Sequence, residues 1–171
     1  MMMLNLGTLL NDQKELEASR PYLEGGLQLA RELQDENLIT AALYNLGVLA
    51  EDTKDLSAAL KYYAEDLERQ KSYGDRQGIA LTLRAVARVA GRCGSYDVQT
   101  FLLGAEEAYA EHSGIPSLDT DKEGEHTQCL QAASLALGDA VYKRLWEQGR
   151  ALTLEQATEY AVEQSRLLTV C

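Results

Sequence analysis

A chain of 171 residues, 46% of them hydrophobic, can bury a real core, either as one domain or as an elongated stack of helix pairs. Its formal charge of -11 repels phosphate backbones, so direct nucleic-acid binding is not expected. No apolar run reaches the roughly 18–20 residues of a membrane span and no signal-peptide pattern opens the chain, so a soluble, cytoplasmic protein is expected.

Only two prolines occur, Pro21 and Pro116, among abundant Ala, Leu, Glu and Gln, which predicts helices and no strands. The first helix carries Asn5, Leu6 and Gly7, and these residues return 40 positions later as Asn45, Leu46 and Gly47. Leu27 and Leu67, Asp35 and Asp75, Ile39 and Ile79, and Leu43 and Leu83 keep the same offset. A fixed period of this size marks stacked helical hairpins, each of which buries its apolar face on the next. Three hairpins fit within residues 1–114.

Leu43, Leu46, Gly47 and Ala50 fall at i, i+3, i+4 and i+7, as do Leu83, Val86, Ala87 and Ala90, so each first helix carries one buried stripe. The small residues Gly7, Gly47 and Ala87 sit where a second helix must come close. Partner helices are predicted over 13–33, 55–73 and 95–113, with Leu23, Leu27, Leu56, Ala59, Tyr63 and Leu67 facing inward. Gly74, Gly94 and Gly114 are placed to close helices as C-terminal caps.

The pieces Tyr44-Asn45-Leu46-Gly47, Ala59, Tyr63 and Gly74-Asp75-Arg76-Gln77-Gly78-Ile79-Ala80 resemble the tetratricopeptide repeat family in its 40-residue form, over residues 3 to about 114. The third unit departs from it, with Gln99 and Thr100 where small or apolar residues are usual. The resemblance implies an all-α, right-handed superhelical stack of antiparallel helix pairs that binds protein or peptide. Further elements, from Leu102-Leu103-Gly104-Ala105 through Gly114-Ile115-Pro116 and Ala136-Leu137-Gly138 to Gly149-Arg150-Ala151-Leu152, resemble the closing segment of large bacterial ATPase-type signalling regulators. That resemblance implies a C-terminal sensor tail without ATPase or output domain.

Residues 115–171 are expected to form C-terminal capping helices over 120–137, 139–148 and 153–168, covering the open end of the last hairpin. Thr153 with Gln156 makes a capping-box pattern, and Trp146 is expected in the apolar face. At the other end the first hairpin looks truncated. A preceding repeat, or a second copy of the chain forming a homodimer, is expected to cover its apolar face.

The first helix of each pair lines a concave groove in such a stack. Its candidate residues are Asn5, then Tyr44, Asn45, Val48 and Asp52, then Arg84, Arg88 and Arg92. By resemblance Asn5 and Asn45 match groove asparagines, whose amides offer both donor and acceptor to an extended peptide. Arg84, Arg88 and Arg92, at i, i+4 and i+8, form one guanidinium stripe. Two readings stay open: a clamp for a carboxylate, phosphate or acidic peptide, or internal pairs with acids such as Glu51 and Asp52.

No catalytic residue, cofactor or metal site is expected. Asp119, Asp121, Glu123, Gly124 and Glu125 run like a calcium loop, but Leu130 stands where the closing carboxylate belongs, so the stretch reads as an acidic linker. His112 and His126 are far apart, and no phosphate-loop, nucleophile-elbow or dinucleotide motif occurs. Cys93, Cys129 and Cys171 are expected as reduced thiols. The leading function is a scaffold or regulatory module for a protein or extended, acidic peptide. The alternative is a small-molecule effector-sensing region of a transcriptional regulator.

Overall fold

The protein, seen in a computed structural model, is described over residues 1–113 and 124–168, without the side chains of Glu125 and His126. Gly114, Pro116, Cys171 and the acidic residues Asp119, Asp121 and Glu123 lie outside the described residues. Within them the chain is helical: α1 (Met2–Asp12), α2 (Leu16–Leu33), α3 (Glu36–Asp52), α4 (Leu56–Tyr73), α5 (Arg76–Arg92), α6 (Tyr96–Ser113), α7 (Glu125–Leu137), α8 (Asp139–Arg150) and α9 (Leu154–Leu167). None of these helices is long and apolar enough to cross a membrane.

Short polar turns join α1 to α2, α3 to α4 and α5 to α6, giving three antiparallel pairs, and α2 packs on α3 as α4 packs on α5. The 40-residue period is visible in the caps. Asp35 and Asp75 accept from the backbone N–H of Leu38 and Gly78 at the starts of α3 and α5, satisfying donors the helices leave open. Gly74 closes α4 with φ of +82°, a left-handed position that glycine adopts without a Cβ penalty.

The small residues on the first helices work as the period predicts. A Cβ at Gly7 would meet Leu23 Cδ2 at 2.7 Å, and one at Gly47 would run into the Tyr63 ring. Leu43, Leu46 and Leu49 are fully buried from α3, each contributing about 1.5–3 kcal/mol relative to exposure.

The C-terminal helices do more than close the last pair. α8 crosses α6 with backbones in near contact, because Gly104 faces the Trp146 carbonyl and Gly149 faces that of Phe101. Trp146 is half-buried, packs against the core and stacks on Tyr142 with centroids 5.8 Å apart. The capping box forms at Thr153 and Gln156. From there α9 runs back along α4, α5 and α6. Ala157, Ala161 and Val162 join the core of the second and third pairs, Tyr160 meets the Phe101 ring at 4.6 Å, and Lys71 reaches Glu159 at 2.7 Å.

One expectation is corrected by that return. Cys93 is disulfide-bonded, not a reduced thiol, whereas Cys129 is free. Cys93 and Leu168 pack against the same core cluster, where α9 lies along α5. Disulfides belong to oxidising compartments, and this one lends no support to a cytoplasmic placement.

Candidate functional site

The pitch of α3 decides which of its residues remain for binding. Leu43, Leu46, Gly47 and Ala50 point into the core, so Ala41, Tyr44, Asn45, Val48 and Asp52 occupy other faces. Tyr44, Asn45, Val48 and Asp52 are half-buried, and Asn5 on α1 is exposed. Asn45 donates one amide N–H to the Ala41 carbonyl at 2.8 Å, which orients the side chain along the helix and leaves its second N–H. Asp52 accepts from Asn11 and Lys14, each at 3.0 Å, and so ties α3 to the first pair. Tyr44 and Asn45 border an open cleft of about 330 Å³ between α3 and α5, whose floor includes Gln70, Tyr73, Asp75 and Gly78.

The arginine stripe is engaged from within the protein. Arg88 forks onto Glu51 through Nε to Oε2 at 2.9 Å and Nη2 to Oε1 at 2.6 Å, and Arg92 donates to Glu51 Oε2 at 2.7 Å. Tyr63 donates its hydroxyl to Glu51 Oε1 at 2.6 Å. Glu51 is almost fully buried, and two guanidiniums and a phenol fill its lone pairs, as a buried charge requires. Burial works against the Arg88 charge, but the hydrogen bonds and charge of Glu51 outweigh it and raise its pKa above the usual guanidinium value. Burial and then Glu51 push the Tyr63 hydroxyl well above 10. Arg84 pairs with Glu106 of α6 at 2.7 Å. The stripe thus joins α5 to α3 and to α6.

A second buried carboxylate, which the sequence reading does not include, lies on α4. Asp66 of α4 has no exposed surface, accepts from Thr82 Oγ1 at 2.8 Å and from Gln70 Nε2 at 3.0 Å, and is met by neutral donors alone in these bonds. Burial, with smaller pushes from Asp75 and Glu65, raises its pKa to about 7 against the help of the Thr82 hydroxyl. The signal was present in the sequence: Ala59, Tyr63, Asp66, Leu67 and Gln70 follow one helical stripe, so Asp66 is an acid on an apolar face.

Residues 1–72 match the family model of the tetratricopeptide repeat. This segment is similar to tetratricopeptide repeats. The matched part covers the first two helix pairs up to the last turn of α4, and with it Asn5, Tyr44, Asn45, Val48 and Asp52. α5 and α6 continue the tetratricopeptide-like stack beyond the match, in the same 40-residue register. No curated protein and no solved structure matched the chain.

Proposed function

We propose that this chain is a non-catalytic protein-binding module whose α1–α3–α5 face holds an extended peptide segment. The tetratricopeptide match supports the class, since such repeats generally mediate protein–protein interaction. The observation that carries the site is the open cleft bordered by Tyr44 and Asn45. Asn5, Asn45 and Val48 are the backbone-reading and apolar contacts. Arg84, Arg88 and Arg92 act chiefly as the wall of the groove, because an acidic segment must compete with Glu51 and Glu106 for them. An open cleft favours a peptide over a small-molecule effector, which needs most of its surface enclosed.

Two finer proposals accompany this. The chain acts as a regulatory tail in a bacterial signalling system, on the resemblance of its closing elements. A second copy covers the first pair, where Met2, Leu6 and Leu9 are exposed at positions whose 40-residue equivalents Ala42, Leu46 and Leu49 are buried. Light scattering tests the second, and a monomer at all concentrations ends it.

Selection of random linear peptides against the full chain tests the groove. The selected peptides are expected to lose at least about tenfold in affinity to Asn45→Ala, one amide pair, and more to Val48→Arg. Selected peptides that bind both variants unchanged overturn the reading.

A further inference from the structure

The cleft between α3 and α5 presents acceptors and aromatic rings and has no basic side chain in its lining. Two acceptors lie at its floor. Gln70 is 4% exposed, lines the cleft, and its Oε1 has no hydrogen-bond partner, although a buried amide oxygen left unmade costs about 1–3 kcal/mol. Asp75 caps α5 through Oδ1, at 2.9 Å from the Gly78 N–H. A side chain at Gly78 would collide with Asp75 Oδ2 and with Gln70 Nε2, so the glycine leaves room for the carboxylate beside the amide nitrogen. Behind Gln70 lies the Asp66 carboxyl, bound to Gln70 Nε2 and Thr82. Tyr44 and Tyr73 supply aromatic surface at the sides, with the Tyr73 hydroxyl 3.1 Å from Thr40 Oγ1.

We propose that this cleft is the specificity pocket of the groove and receives the cationic side chain of a lysine or arginine from the bound peptide. The proposal rests on the groove reading and adds to it the chemistry of one side chain of the partner. An ammonium or guanidinium group donates to Gln70 Oε1 and Asp75 Oδ2, while its methylene stem lies between Tyr44 and Tyr73. Arg88 approaches Tyr44 from the core side, with its charge already held by Glu51. The chain's net charge of -11 draws a basic segment towards it over a longer range.

The test is a nitrogen-15 NMR titration of the full chain with Nα-acetyl-lysine methylamide and with its norleucine and glutamate counterparts. The lysine probe is expected to give saturable shifts at the Gly78 amide and the Gln70 side-chain amide, at least about tenfold tighter than either counterpart, as one charge-assisted hydrogen bond provides. Asp75→Asn keeps an N-cap side chain and is expected to remove that preference. Ala41→Arg, at an exposed position on the rim, places a cation in the cleft from within and is expected to abolish the shifts with the unfolding midpoint unchanged. Shifts equal for lysine and norleucine, no saturable shift at Gly78 and Gln70, or a lysine preference that survives both variants overturns the pocket. Peptides whose binding depends on Val48 and Asn45 but not on a basic residue leave the groove reading standing without it.

Discussion

Glu51 and Asp66 are both carboxylates buried in the second helix pair, yet they are solved by opposite means. Glu51 receives Arg88, Arg92 and Tyr63, and the attraction of two guanidiniums offsets its desolvation. Asp66 receives a hydroxyl and an amide, which cannot offset a full charge, and its pKa rises to about 7 instead. The first is a fixed joint between α3, α4 and α5. The second is a group whose charge depends on pH, set beside the cleft that Gln70 lines. The joint at Glu51 is therefore locked by charge, whereas the α4–α5 contact at Asp66 changes its charge with pH.

Removing the acid of the locked joint has the largest expected effect. Glu51→Ala strands Arg88 and Arg92 against a buried wall and takes the acceptor from Tyr63, for a loss of about 3–5 kcal/mol in urea unfolding at pH 7. If the loss is below about 1 kcal/mol, the Glu51 joint is no stronger than a surface pair and the contrast with Asp66 collapses.

Asp66 sharpens the comparison through pH. Its folded pKa of about 7 lies above the roughly 3.9 of an unfolded Asp, so between these values the native state holds the extra proton. Stability is therefore full below about pH 4, falls as pH rises to about 7, and is flat above, by up to about 4 kcal/mol from this group. Asp66→Asn should remove most of that fall, matching the parent near pH 4 and exceeding it at pH 8. A parent whose unfolding midpoint does not fall between pH 4 and 7, beyond what Asp66→Asn also shows, places no neutral acid at this position.

The smallest effect belongs to Arg92, whose side chain is 37% exposed where Arg88 is 24% exposed. Arg92→Ala leaves the Arg88 fork on Glu51 intact and should cost about 0.5–1 kcal/mol, fading with added salt. A loss as large as that of Glu51→Ala shows that the two arginines act as one unit instead.

How much of this could be read beforehand follows from what a period encodes. The offset of 40 and the stripe through Leu43, Leu46, Gly47 and Ala50 carry the helix pairs and their facing sides. Gly7 against Leu23 and Gly47 against Tyr63 then follow, because close approach demands a missing side chain. The i, i+4, i+8 spacing of Arg84, Arg88 and Arg92 shows a stripe but not its partners, since Glu51 and Glu106 reach it from helices whose relative rotation only packing decides. Asp66 is not legible as buried from its residue type, because a charged residue usually marks a solvated face, and here it marks an interface between pairs. The path of α9 escaped for a similar reason: Ala157, Ala161 and Val162 show an apolar stripe without saying which helices it meets.

Peptide binding on the α1–α3–α5 face, as proposed, is decided by a nitrogen-15 footprint of a selected peptide on the full chain. Shifts concentrated on Tyr44, Asn45, Val48 and Gly78 are expected. A footprint on the cleft of about 660 Å³ lined by Glu24, Gln28, Arg31 and Tyr62, with Tyr44, Asn45, Val48 and Gly78 silent, would contradict it.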